Sequence, residues 1–126
     1  MIFEREEVNM TLESLEKSDL SSVVFIRDYI QFVFEGEKEN VILSAFTQPS
    51  TIVSNQIYEF QSAGWRDALC TLINKIVRTA IAEEGIAIKI TFEDGDVLEI
   101  SLRKEDYEGP EAAMLCIKNG EIRFGN

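Results

Sequence analysis

Ile86-Ala87-Ile88-Lys89-Ile90-Thr91-Phe92-Glu93-Asp94-Gly95-Asp96-Val97-Leu98-Glu99-Ile100 is the stretch on which the reading of this chain turns. Ile86, Ile88, Ile90 and Phe92 recur at every second position, with Ala87, Lys89 and Thr91 between them. That period is the one of a strand with one buried face. Beyond Asp94-Gly95, Leu98, Ile100 and Leu102 alternate with Val97, Glu99 and Ser101. Asp-Gly between two alternating runs predicts a hairpin with a type I′ turn, in which both central residues need positive φ. Asn119-Gly120 carries the same signal between Met114-Leu115-Cys116-Ile117 and Ile122-Arg123-Phe124, and Glu83-Glu84-Gly85 marks a third turn.

Working outward, the pattern has an earlier echo. Leu12-x-x-Leu15, Val23-Val24-Phe25-Ile26, Tyr29 to Glu35 and Val41-Ile42-Leu43 run in the same order as Leu69-x-x-Leu72, Ile76 to Ile81, Ile86 to Glu93 and Val97 to Ile100. Phe32 and Phe34 stand where Ile90 and Phe92 stand. Two copies are too few for a solenoid. The expected fold is β-rich α+β, with pseudo-repeats over about residues 8–46 and 65–102. Each repeat is a helix plus a three-stranded antiparallel meander. Together they form one sheet, a sandwich or a partial barrel, with a C-terminal hairpin, in one domain over 1–126.

Two helices are expected. Trp65, Ala68, Leu69, Leu72, Ile73 and Ile76 fall on one stripe at helical spacing, with Gly64 as a tolerable N-cap and an end near Asn74. Glu4 to Lys17 places Val8, Leu12 and Leu15 on one side, with Glu4, Glu6 and Glu7 suited to the first turn of a helix. Between the repeats, Pro49 interrupts regular structure, while Ile52, Val53, Ile57, Tyr58 and Phe60 argue for a packed segment, a further strand among them.

Acidic residues number 23 and basic residues 12, for a formal charge of −11. A field of that sign repels phosphate backbones and anionic lipid, so neither nucleic acid nor membrane is an expected partner. A basic protein is. The first residues have neither the basic nor the apolar region of a secretory signal, no apolar run approaches membrane-spanning length, and two cysteines in apolar surroundings suggest reduced, buried thiols. A cytoplasmic location is expected.

Histidine is absent. That removes the commonest general base and metal ligand, together with every His-dependent triad. Asp94-x-Asp96 resembles the start of a calcium loop, but Leu98 and Glu99 occupy positions that need an oxygen ligand and a glycine. No Gly-rich phosphate loop is present. No catalytic, cofactor-binding or metal-binding residue is therefore assigned, and no cofactor is expected. Candidate partner-binding residues come from two acidic features. One is the pair of turns carrying Glu35 and Glu37, with Glu39, and Glu93, Asp94 and Asp96. The other is the loop from Lys104, which sets Tyr107 among Glu105, Asp106, Glu108 and Glu111. An aromatic ring among carboxylates suits Lys or Arg on a partner.

Leu72-Ile73-x-Lys75-x-Val77, Ile90-x-Phe92-Glu93-Asp94-Gly95-x-x-Leu98-x-Ile100 and Gly109-Pro110-Glu111-Ala112-Ala113 resemble a pattern of small acidic bacterial proteins of immunity or uncharacterised type. The resemblance covers about half of the chain and carries no catalytic residues over. It implies a β-rich cytosolic protein encoded near toxins or other conflict systems, and together with the acidic charge it makes an inhibitor that masks a basic toxin the leading expectation. A β-rich module that forms a homodimer through strand edges and a carboxylate-based hydrolase are the alternative readings.

Overall fold

The structure is a computed structural model and describes residues 12–37, 39–117 and 120–125. Alternating apolar residues become ten antiparallel strands in two sheets. The first meander is β1 (Asp19–Ile26), β2 (Tyr29–Glu35) and β3 (Asn40–Ala45). A hairpin follows, of β4 (Ser50–Val53) and β5 (Gln56–Tyr58), and then helix α1 (Trp65–Thr71). The second meander is β6 (Val77–Glu83), β7 (Ala87–Phe92) and β8 (Val97–Ser101). A 3₁₀ turn at Lys104–Asp106 leads to the last hairpin, β9 (Glu111–Ile117) and β10 (Gly120–Gly125).

The hairpins do not stay with their own meanders. The sheet orders are β1-β2-β3-β9-β10 and β5-β4-β8-β7-β6. The hairpin that follows the first meander joins β8 of the second, and the hairpin that follows the second joins β3 of the first. Leu43 sits opposite Leu115, and Leu98 opposite Thr51. Phe32, Phe34, Leu43 and Leu115 from one sheet share a core with Ile88, Ile90, Phe92, Leu98 and Ile100 from the other. Burial of each large apolar side chain contributes about 1.5–3 kcal/mol. The fold is thus two sheets about one core, which replaces the single-sheet and barrel expectations.

A reciprocal set of backbone bonds clasps the two meanders where they begin. Lys17 N–H donates to the Val77 carbonyl and Asn74 N–H to the Leu20 carbonyl, at 2.8 and 2.7 Å. Val77 N–H donates to Ser18 and Leu20 N–H to Lys75, while Asp19 and Ile76 form an isolated bridge between them. Lys17 and Asn74 both have positive φ, and both following strands carry a register irregularity, at Leu20/Ser22 and Val77/Thr79.

Several local expectations change. Only Leu12 and Glu13 are helical at the N-terminal end of the described residues, followed by turns to Lys17. The remainder of the helix expected over 4–17 lies outside the described residues, although Leu12 and Leu15 are buried. Helix α1 ends at Thr71, because the chain turns through Asn74 at φ 78. Trp65, Ala68, Leu69 and Leu72 are buried as the stripe requires, whereas Ile73 and Ile76 lie beyond the helix and are exposed. Ile86 belongs to the turn before β7, not to its buried face.

The Asp94-Gly95 turn is also different. Phe92 N–H bonds to the Asp96 carbonyl and Gly95 N–H to the Phe92 carbonyl. Gly95 has φ 95, while neither Glu93 nor Asp94 is in the positive region. This is the three-residue hairpin closed by a glycine bulge. The turn with two successive positive φ values is Ser54-Asn55, between β4 and β5. The hairpin predicted about Asn119-Gly120 forms, with Gly120 opposite Ile117, while residues 118 and 119 lie outside the described residues.

Candidate functional site

The candidate partner-binding residues fall at two places. Glu35 is opposite Asp19 in β1, Asp19 bridges Ile76, and the Ile76 carbonyl accepts from Glu93 N–H at 2.9 Å. Three strand-to-strand steps thus separate the β2–β3 turn from the β7–β8 turn, roughly 15 Å at the usual strand spacing. Both acidic turns emerge at one end of the molecule. Glu35, Glu37 and Glu93 are exposed there, and Asp19 and Glu39 are half-buried. Lys17 and Lys75 lie in the same region.

Asp94 and Asp96 are engaged internally. Lys75 Nζ bonds to Asp94 Oδ2 at 2.6 Å and also to Asp96 Oδ2. Asp96 is buried, and its Oδ1 accepts from Ser54 N–H at 3.1 Å. Asp96 N–H in turn donates to Asp94 Oδ1 at 3.0 Å. The Lys75 hydrogen bond and then the Asp96 backbone N–H hold the Asp94 carboxyl below its ordinary value. Burial opposes the charge on Lys75, but its bonds to the two aspartates overcome this and raise its pKa. These carboxylates pin the β4–β5 turn to the β7–β8 turn. Asp96 is therefore not an accessible contact residue.

The Lys104 to Glu111 loop is elsewhere. It leaves β8 at Ser101, which is opposite Ala87, and Leu102 N–H bonds to the Ile86 carbonyl. That is the end of β7 away from Glu93. Glu105 and Glu108 are exposed. Asp106 accepts from Ser101 Oγ at 2.5 Å, Tyr107 packs partly against the core, and Glu111 pairs with Arg123. Glu121 first and then Glu111 raise the Arg123 pKa. The two acidic features do not form one surface.

At that second end lies a concavity of about 270 Å³ that the sequence reading did not single out. Trp65 forms its floor, 5 % exposed, with its indole N–H donating to the Pro49 carbonyl at 2.8 Å. Phe25 and Phe60 stand edge-on to Trp65, with ring centres 6.4 and 5.2 Å away. Tyr29 and Phe46 make a second aromatic pair at 5.4 Å on the same lining. Arg27 and Asp28 enter from the β1–β2 turn and Arg66 from the first turn of α1. The signal in the sequence was Phe25-Ile26-Arg27-Asp28-Tyr29, a charged turn flanked by aromatics, which the period-two pattern absorbed as strand.

The outward face of the first sheet mixes apolar and polar side chains, with Gln31 bonded to Ser44 among them. Val33, Ile42 and Cys116 are successive cross-strand neighbours, as are Ile26 with Tyr29 and Ser44 with Met114. The cysteines depart from expectation, since Cys70 is exposed and Cys116 half-buried. Burial, then the Glu121 charge, pushes the Cys116 thiol up. Among the described residues no three His, Cys, Asp or Glu side chains group as a metal site, and no helix is long and apolar enough to cross a membrane. No family model, curated protein or solved structure matches the chain.

Proposed function

We propose that the chain is a non-enzymatic protein-binding domain whose acidic end docks a basic protein, as an immunity-type inhibitor docks a toxin. The observation that carries this reading is the side-by-side emergence of two acidic turns, with Glu35, Glu37 and Glu93 exposed. A net charge of −11 supports it, because complementary fields steer encounter and raise the association rate. The clasp supports it further. The turns sit on paired backbone, so little ordering cost accompanies docking.

The test is affinity capture followed by rate measurement. A captured basic protein should associate at least about tenfold more slowly in half-molar salt than at low salt. Glu35→Lys, Glu37→Lys and Glu93→Lys together should slow it similarly at low salt. Capture of nothing basic, or a rate indifferent to salt, would overturn the reading.

The row of half-buried Val33, Ile42 and Cys116 on the outward face of the first sheet favours a second reading, a homo-oligomerising module. Apolar side chains that stay partly accessible on a sheet face often mark association surfaces. Light scattering separates the two: a concentration-dependent dimer abolished by Val33→Lys and Ile42→Lys supports the module.

A further inference from the structure

We propose that the aromatic concavity over Trp65 binds an acidic peptide segment that presents a large apolar or aromatic side chain beside a carboxylate. The site is distinct from the acidic end, since its residues cluster at the opposite ends of β1 and β2. The charge of its lining residues is also reversed. Arg27 and Arg66 line it with Asp28 as the one acid, in a chain whose acidic residues nearly double its basic ones. Among the described residues neither arginine enters an ion pair, whereas Lys75 and Arg123 each take two carboxylates. Planar guanidinium groups left open beside apolar rings are suited to a carboxylate next to a ring or a branched chain.

The apolar half of the site is equally open. Phe25 and Phe60 are 41 and 46 % exposed, although both pack edge-on against a buried tryptophan. Rings held by such a floor lose little freedom when a ligand covers them. The volume, about 270 Å³, is at the small end for ligand sites and suits one side chain with its neighbouring backbone. A nucleotide would also offer a ring and an anion, but its phosphate carries nearly twice the charge of one carboxylate and so meets more of the repulsion that the whole molecule exerts on either anion.

Trp65 is the chain's single tryptophan, so its emission reports on this site. The probes are acetyl-Phe-Glu-amide, acetyl-Phe-Lys-amide, acetyl-Gly-Glu-amide and adenosine monophosphate. Only the first should give a saturable change, with affinity at least about tenfold above the other three. The Arg27→Gln, Arg66→Gln double variant should weaken that binding about tenfold, with unchanged circular dichroism and melting. Because both arginines are exposed, a folding failure is not expected; half-molar salt applied to the unaltered protein gives the same discrimination. The Glu35, Glu37 and Glu93 reversals should leave this titration unchanged, which separates it from docking at the acidic end. No saturable change with acetyl-Phe-Glu-amide, an equal response to the lysine peptide, or preference for the nucleotide would overturn the proposal.

Discussion

Lys75 carries more structural weight than its exposure suggests. Its pair with half-exposed Asp94 contributes little, because solvent screens it. Its pair with buried Asp96 is different, since the Asp96 carboxylate has no other cation in reach among the described residues. Lys75→Met leaves that charge with only the Ser54 N–H, and should cost about 2–3 kcal/mol in urea unfolding. The pH window follows from the shifts. Asp94 is held below its ordinary 3.8, so its contribution is present above that pH and is lost as pH falls through the folded value. Lys75 is raised above 10.5, so its contribution is intact below that pH and is lost as pH rises through the folded value. The gap between unaltered protein and Lys75→Met should therefore be widest from about pH 4 to 10.5, falling only slightly below that range, where the screened Asp94 pair is lost, and more strongly above it, where Lys75 loses its charge. A gap that stays constant as pH rises well above 10.5 would contradict this origin. Asp94 and Asp96 were visible as acids in the sequence. Their neutralisation was not, because the cation arrives from the segment between α1 and β6, nineteen positions earlier for Asp94.

At the scale of elements, strand identity was legible wherever one face is buried, because a period of two leaves no other reading for Ile88, Ile90 and Phe92 or for Phe32 and Phe34. Turn chemistry was less so. The sequence signal for paired positive φ pointed to Asp94-Gly95, yet Ser54-Asn55 adopts it without glycine, held by Asp96 from another hairpin. Tertiary contact there overrides local preference. Gly95 keeps its role for a different reason: it alone occupies the left-handed position of its loop, with φ 95 and no atom within 4 Å of the place a Cβ would take. Gly95→Ala should therefore cost only the backbone strain, about 1–2 kcal/mol, with no steric penalty. Gly95→Asn should recover part of it, since asparagine tolerates the left-handed region. Thermal unfolding of the two variants checks the order. Trp65→Phe makes a complementary case on α1. The ring volume largely survives, but the Pro49 carbonyl loses its donor, and a cost of about 1–3 kcal/mol is expected from the unpaired acceptor.

At the scale of the molecule, the meander repeat was readable from the order of apolar segments, but the exchange of hairpins was not, since strand order follows from which edge each hairpin reaches. That exchange has a consequence for folding. The first meander ends on β3, whose outer edge is covered by β9, and the second ends on β8, covered by β4. Neither half can complete its own sheet, and the two share one core. The connection between them, residues 59–64, is exposed throughout. Fragments 1–61 and 62–126 should each be largely unfolded alone, with exposed strand edges and a core that lacks its opposite wall. Mixed at equal concentration, they should regain the circular dichroism of the intact chain, because each supplies the hairpin and the sheet face that the other lacks. The intact chain should correspondingly unfold in one transition followed alike by Trp65 emission and by backbone signal. If either fragment folds by itself with a sharp thermal transition, the hairpin exchange does not govern stability, and each half holds enough core of its own.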